Sequence, residues 1–270
     1  MKRFLCLILA ECLTFFPVCA IDNLRIPDIR TLSIGGGGVI ETPLYNPALL
    51  ANLTQHRLYA NYYNRYSVSE LATVSGGFYF INTILPVGLE ITSFGYDEYR
   101  ESLFRFSMGR QIAEKWTVGV AGQYVLLQSL LFEDNSGRVS TDVGITFKPV
   151  ENVLAGVSIL HMPSVKVGDK NVDNKHIAPF SIQAGFNWKV INTVLITGSA
   201  EHCEEEKISG SFGTEYMPFD NFRIRAGLRS FPFKPTFGIG YQLADIHFDA
   251  GMLYHPVLGV SLGFGLSFNF

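Results

Sequence analysis

The last thirteen residues, Leu258–Phe270, read LGVSLGFGLSFNF and alternate between two kinds of side chain. Every second residue is large and apolar, and each residue between them is Gly, Ser or Asn. Because successive side chains of a β-strand point to opposite faces, the pattern predicts a strand with one apolar and one bare face. The apolar face runs to a bulky aromatic side chain at the terminal residue, Phe270.

The same alternation recurs in SIQAGFNWK (181–189), WTVGVAGQY (116–124) and NFRIRAGLRS (221–230). The apolar faces of these stretches are rich in aromatic residues and carry almost no charge. The opposite faces hold glycine, polar and charged residues where a soluble core would be apolar. Segments of about ten residues, apolar toward lipid and polar toward a lumen, are typical of membrane barrels. The sequence therefore predicts an all-β fold, a transmembrane antiparallel β-barrel whose backbone is satisfied by closure.

The alternation predicts about 14 strands, an even number that places both chain ends on the periplasmic side. The turns predicted on that side are short, and the longest predicted loop, 162–179, falls on the outer side. The predicted strands lie near 57–67, 71–81, 84–94, 102–111, 116–131, 138–148, 153–161, 177–189, 193–202, 207–217, 221–231, 235–243, 245–254 and 257–270.

The composition limits the functional classes. Charged residues are 17% of the 270 residues, below the quarter or so of a soluble domain. No run of about 20 apolar residues follows the N-terminal region, so no transmembrane helix is predicted. A net charge of -3 without a basic cluster argues against a nucleic-acid partner.

Residues 1–20 are predicted to be a secretory signal peptide. Lys2 and Arg3 precede an apolar stretch, and Val18-Cys19-Ala20 provides small residues for cleavage near Ala20. A lipoprotein signal ending at Cys19 is the alternative, with Val18 a poor fit. Cleavage near Ala20 leaves Cys203 as the only cysteine, so no intramolecular disulfide is expected. The predicted localisation is the bacterial outer membrane, with lipid as surroundings.

Residues 21–56 break the alternation and are predicted to form a plug inside the barrel, which would occupy residues 57–270. Gly35, Gly36, Gly37 and Gly38 are too flexible for a strand, and no Lys-Ser/Thr follows them as in a phosphate-binding loop. An Asn46-Pro47 turn then leads into a short helical run. A segment of mixed apolar and polar residues ahead of a wide barrel needs a surface to pack against, and the lumen provides one.

The stretch TLSIGGGGVIETPLYNPALLANL (31–53) resembles the N-terminal signature of FadL-like barrels and their PorV/PorQ relatives in Bacteroidetes. The matching motif is Tyr45, Asn46, Pro47, Ala48 and Leu49, and 87–125 is similar to a strand–loop–strand stretch of the PorV/PorQ group. The resemblance implies a 14-stranded barrel with the N-terminal segment inside. The large outer loops of FadL-type fatty-acid channels are missing from this sequence.

Two functional hypotheses follow from that resemblance. The PorV/PorQ likeness implies a non-enzymatic component of type IX secretion or attachment, with secretion-system proteins as partners. The FadL likeness implies a passive channel for small hydrophobic or amphipathic solutes. Such a channel needs an apolar pocket beside the plug or a gap in the wall, for which a strand kinked at Pro86 is one candidate. Phe268 and Phe270 resemble the terminal signal that the barrel-assembly machinery recognises.

Inward-facing charged side chains form a predicted lattice in the lumen. The turn MPFDN (217–221) places Glu215 opposite Arg223, so these two side chains should meet. The lattice either braces the lumen and plug or forms a charge-selective path for an anionic solute. Its predicted members are Glu90, Arg105, Asp142, Glu215, Arg223, Arg225, Arg229, His247 and Asp249.

Three further patterns receive structural interpretations. Metal-capable residues at 201–206 alternate faces on a strand and read as an acidic outer loop rather than a zinc site. Asp245, His247 and Asp249 share one strand face, but no catalytic motif accompanies them. No enzyme, cofactor or metal is therefore predicted. Aromatic residues near strand ends are expected to form interface girdles: Trp116, Trp188, Tyr216, Tyr241 and Tyr254.

Overall fold

A computed structural model describes residues 23–24, 28–130, 135–168, 177–204 and 208–270. The predicted signal peptide and the acidic residues Glu205 and Glu206 lie outside these ranges. Within the described residues, no helix is both long and apolar enough to cross a membrane.

Fifteen β-strands make up nearly all of the regular structure of the described residues. A short helix, α1 (Ile29–Ser33), and a 3₁₀ turn, Pro47–Asn52, precede them, and a second 3₁₀ turn spans Ser69–Leu71. The strands are β1 (Arg57–Asn64), β2 (Ala72–Phe80), β3 (Val87–Gly95), β4 (Tyr99–Ala113), β5 (Trp116–Ser129), β6 (Ser136–Val150), β7 (Val153–Leu160), β8 (Ser164–Gly168), β9 (Ser181–Ile191), β10 (Val194–Cys203), β11 (Ser209–Phe219), β12 (Phe222–Arg229), β13 (Lys234–Leu243), β14 (Ile246–His255) and β15 (Gly259–Asn269).

The sheet closes on itself. The first strand, β1, pairs antiparallel with β2 on one side and with the last strand, β15, on the other. At the rim, the backbones of His56 and Phe270 exchange two hydrogen bonds of 3.0 Å, so the terminal residue completes the seam. The result is a closed barrel of 14 antiparallel strands with one additional strand, which confirms the predicted fold class.

The barrel is apolar outside and polar inside. On β15, Phe264 is 58% exposed and Leu266 47%, whereas Ser261 on the opposite face is fully buried. On β4 and β5 the buried residues include Arg105, Ser107 and Gln123. An outward apolar band around a polar interior is the pattern of a membrane barrel and the inverse of a soluble core.

The predicted outer loop 162–179 is partly wrong, because residues 164–168 form β8. The reason lies in β6, which has 15 residues while its neighbour β7 has only eight. β7 covers the half of β6 that ends at Val150, and β8 pairs with the other half, from Ser136 to Ser140. Without β8, backbone N–H and C=O groups of that half would lack partners. Between β7 and β8 the backbone changes direction at His161, whose φ of 59° lies in the left-handed region.

The predicted kink at Pro86 is also wrong. Pro86 lies in the turn before β3, and its carbonyl accepts a 3.1 Å hydrogen bond from the Gly109 N–H. The side chain of Asn82 holds this turn by accepting from the N–H groups of Ile84 and Leu85. Among the described residues, strand pairing is therefore interrupted between β7 and β8 and not at the start of β3.

Candidate functional site

The segment between residues 28 and 53 lies inside the barrel. Its helix α1 packs against β12–β15, and its 3₁₀ turn packs against β4–β6 on the other side of the lumen. Side chains cap both elements: the Asp28 carboxylate accepts from the Thr31 N–H at 2.8 Å, and the Asn46 amide oxygen from the Ala48 N–H at 3.1 Å. This segment, 28–53, is called the plug below.

Lumen-facing glycines let the plug backbone approach the wall closely. A Cβ at Gly109 would lie 2.7 Å from the Pro47 carbonyl oxygen, closer than non-bonded atoms tolerate. At Gly119 it would collide with the backbone of Pro47 and Ala48. Several of these glycines face one another across strand pairs, so they form belts. The glycines in contact with the plug are Gly109, Gly119, Gly144, Gly156, Gly185, Gly213, Gly227, Gly238, Gly251, Gly263 and Gly265.

Replacing Gly119 by leucine should loosen the plug. The new side chain would collide with the 3₁₀ turn, so we expect the Gly119→Leu variant to show increased ion conductance in planar bilayers. Gly122→Leu is the matched control, because Gly122 lies on the same strand and has open space around it. Equal conductance of the two variants would show that the glycine belt does not hold the plug.

The four consecutive glycines are a sharp bend in the plug. Gly35, Gly36 and Gly38 have φ of 101°, 72° and 78°, which side chains with a Cβ rarely adopt. The Gly35 N–H donates to the Thr236 hydroxyl at 3.0 Å, and the Tyr45 ring lies against Gly38. The bend thus follows from backbone conformation and tight packing.

One charge network connects the plug to the wall at Arg105. The Arg105 guanidinium donates to Glu90 at 2.7 Å, to Asp142 at 3.1 Å and to the Pro43 carbonyl of the plug at 3.1 Å. The side chains of Arg105, Glu90 and Asp142 are at most 2% exposed. Asp142 also accepts from the backbone N–H of His161 at 2.8 Å, so the network reaches the break between β7 and β8. The hydroxyls of Tyr59 and Tyr79 donate to Glu90.

A second network lies on the other side of the plug, and here the predicted partner is wrong. Glu215 faces Arg225, not Arg223, and accepts from it at 2.6 Å. The strand β11 continues through 217–219, so the turn is centred one residue later than expected and the register moves by two. Arg30 of the plug donates to Glu215 at 3.0 Å, and Arg225 also pairs with Asp249 at 2.5 Å.

The remaining lattice members have different partners. Arg223 donates to the Gln242 amide oxygen at 3.0 Å, and Arg229 to Glu201 at 2.6 Å. His247 lies on the lumen side with a buried Nδ1 that has no hydrogen-bond partner among the described residues. The predicted lattice is thus two networks, one ion pair at Arg229, a hydrogen bond from Arg223 to a neutral amide, and His247.

Two plug residues have perturbed ionisation. The neighbouring Glu215 carboxylate holds the pKa of the Arg30 guanidinium above its usual value. Burial raises the pKa of the Glu41 carboxyl, and a hydrogen bond from the Thr197 hydroxyl acts in the opposite direction. Both side chains therefore contact specific wall partners, Arg30 with Glu215 and Glu41 with Thr197.

An open vestibule of about 370 Å³ lies beside the second network, at the barrel end that carries the chain terminus. Its walls include Arg57 at the start of β1, Lys189 near the end of β9 and Arg223 on β12. A smaller cavity of about 40 Å³ lies next to it between the plug and β1.

On the other side of the plug, buried apolar side chains fill the lumen. Leu44 and Tyr45 of the plug meet Phe94, Leu103 and Leu160 of the wall. Sequence analysis did not identify this cluster, because its members are single apolar residues on otherwise polar faces. We call it the apolar compartment; its buried members are Leu24, Leu44, Tyr45, Phe94, Leu103, Val125, Leu127, Leu160 and Ile177.

Comparisons with known proteins identify relatives of the fold. No protein-family model and no curated protein matches this sequence. Among solved structures, the CymD monoaromatic hydrocarbon channel superposes with a TM-score of 0.71 at 12% identity, covering 93% of this chain and 99% of that one. The P. putida toluene transporter TodX superposes with a TM-score of 0.64 at 11% identity, covering 89% and 97%. This chain has the fold of these channels.

A FadL homologue from Pseudomonas aeruginosa is similar in the same way, with a TM-score of 0.60, 10% identity and coverage of 90% and 98%. These superpositions cover nearly the whole of each channel, so the likeness is of the entire barrel. None of the named structures is a PorV or PorQ protein.

The minor predictions end as follows. The five girdle candidates are all exposed, between 40% and 48%, and Trp116 stacks on Phe147 at 4.3 Å.

Glu201 and Cys203 belong to β10 and not to a loop, and the described residues contain no group of three metal-capable side chains. Of the Asp245, His247 and Asp249 array, Asp249 is engaged by Arg225 and Asp245 precedes the strand. Phe268 and Phe270 are exposed at the rim, and their role in assembly stays a prediction.

Proposed function

We propose that this protein is a passive outer-membrane channel for small apolar solutes. The observation that carries the proposal is the apolar compartment, which sits between the plug and the outer end of a lumen that is otherwise polar. A water-filled pore does not need buried apolar side chains in its lumen. Such side chains can bind an apolar solute, which partitions unfavourably into water. The hydrocarbon channels with the same fold support this reading.

The break in the wall gives such a solute a route. Leu160 is the last residue of β7, and beyond it β8 pairs with β6 but not with β9 in the described residues. Ile177 and Ala178, just before β9, are buried, and Ile177 belongs to the apolar compartment. A hydrogen bond of 2.6 Å between the His161 Nδ1 and the Pro179 carbonyl oxygen joins the segment after β7 to the segment before β9. We infer that opening at this contact connects the apolar compartment with the membrane.

The proposal replaces the expected role in type IX secretion. That role rested on resemblance at two stretches, and no contact or surface described above supports a protein cargo. The lumen is filled by the plug and its glycine belt, which fits a channel closed at rest. The expected placement in the outer membrane, with lipid around the barrel and assembly through Phe268 and Phe270, belongs to the same proposal.

Uptake into cells tests the proposed function, since the lipopolysaccharide leaflet slows apolar solutes that plain liposomes would admit. We expect cells that carry the protein to take up radiolabelled toluene faster than cells without it, with unchanged uptake of glucose. The control is Leu44→Gln, which makes the plug side of the apolar compartment polar while leaving the wall intact. Faster glucose uptake would contradict the proposal. So would toluene uptake that is the same with and without the protein and is unchanged by Leu44→Gln.

A further inference from the structure

The vestibule of about 370 Å³ differs from the rest of the lumen in its charge. Five basic side chains and two carboxylates line it, although the whole chain has a net charge of -3. Both carboxylates are already engaged, because Arg225 pairs with Glu215 and with Asp249. The vestibule therefore holds a local excess of positive charge that balanced ion pairs do not cancel.

Three of the cations have no carboxylate partner within salt-bridge distance in the described part of the chain. Arg57 donates one 3.0 Å hydrogen bond to the Asn269 side-chain oxygen, and Arg223 donates one to Gln242. Lys189 is exposed toward the opening. An arginine fork has five N–H donors, so most donors of these two arginines remain available.

An imidazole also lies beside these cations. His247 lies in the vestibule wall and pairs in register with Gln242, the partner of Arg223. Its Nδ1 is buried without a hydrogen-bond partner among the described residues. Because this atom is closed to the vestibule, the arginines and Lys189, and not His247, provide the hydrogen-bond donors for a ligand.

The rest of the lining sets the class of anion. Val194, Leu195 and Met217 add apolar residues to the lining of the vestibule. The volume falls within the range of small-molecule sites. We propose that the vestibule is a binding site for a small organic oxyanion, a carboxylate or phosphate monoester with an apolar body, held by Arg57, Arg223 and Lys189.

This site goes beyond channel function, and it is separated from the apolar compartment by the plug. Occupancy can be measured as equilibrium binding, whereas the proposed function is measured as uptake. The site can therefore fail while apolar uptake is present, and uptake can fail while the site binds.

Calorimetric titration of the purified full-length protein in an uncharged detergent tests the proposal. The probes are benzoate and phenyl phosphate, with benzamide as the neutral match and inorganic phosphate as the anion without an apolar body. We expect both organic anions to bind, benzamide to give no heat, and inorganic phosphate to bind more weakly. Each of Arg57→Gln and Arg223→Gln should weaken binding about tenfold, the effect of losing a charged hydrogen bond.

Arg100→Gln serves as the control, because Arg100 is exposed and pairs with Asp97 far from the vestibule. Each variant is first checked for the compact electrophoretic mobility of the folded barrel. Organic anions that bind equally to wild type, Arg57→Gln and Arg223→Gln, or that do not bind at all, would overturn the site. Inorganic phosphate binding as tightly as phenyl phosphate would overturn the assigned class of ligand.

Discussion

The Arg105→Met variant is expected to unfold far more readily than the wild type. Arg105 is the common cation of Glu90 and Asp142, and all three side chains are buried. Its removal leaves two buried carboxylates without a cation and the Pro43 carbonyl without its Arg105 donor. Breaking a buried pair in this way typically costs about 3–5 kcal/mol. Denaturant unfolding of the barrel in detergent micelles, followed by tryptophan fluorescence, measures the loss.

Arg100→Gln provides the comparison for this prediction, since Arg100 pairs with Asp97 on the surface, where both side chains are largely exposed. Such a pair contributes little, about 0–1 kcal/mol. A free energy of unfolding that falls equally in the two variants would show that the buried network is not a main support of the barrel. The triple variant Glu90→Gln/Arg105→Met/Asp142→Asn should recover part of the stability, because it buries no unpaired charge.

Removal of the plug is expected to convert a closed barrel into a pore. The plug spans the lumen from β12–β15 to β4–β6, and it contacts glycines on most of the wall strands. Apart from the wall members of the apolar compartment, the lumen-facing side chains are largely polar, so water and ions should fill the space. We expect a variant lacking residues 21–53 to give large stepwise conductance in planar bilayers, and the intact protein to be nearly silent.

His56 stays in that variant because its backbone completes the seam with Phe270, so closure of the barrel is preserved. Folding of the shortened chain is checked by resistance of the barrel to SDS at room temperature. A folded variant that conducts no better than the intact protein would show that the wall side chains, and not the plug, close the lumen. High conductance of the intact protein would contradict the same point.

The barrel could be predicted from the sequence because its outward face obeys a two-residue period over nearly every strand. The tail Leu258–Phe270 shows this most clearly, and its Leu262 pairs with Asn64 as the closing strand requires. The strand β8 was missed because it arises from the unequal lengths of β6 and β7, a property of pairing and not of any local pattern. The alternation of side chains within one segment cannot predict a strand that forms because the backbone groups of its neighbour need hydrogen-bond partners.

The lumen was harder to predict than the wall. Inward positions of Arg105, Glu215 and Arg225 follow from alternation, but their partners depend on register, which a turn displaced by one residue moved by two. The plug contacts of Gly119 were also missed. In the sequence, a glycine on a lumen face predicts only a wall position without a side chain. The structure is needed to show that the plug backbone lies against it.

The most direct measurement of the proposed function locates a solute inside the protein. Crystals of the wild type soaked with bromobenzene would reveal the bromine by anomalous scattering. The account predicts bromine in the apolar compartment, between Leu44 of the plug and Leu103 and Leu160 of the wall, with those side chains displaced from their packed positions. Bromine found only on the lipid-facing surface, or only in the cationic vestibule, would contradict the account.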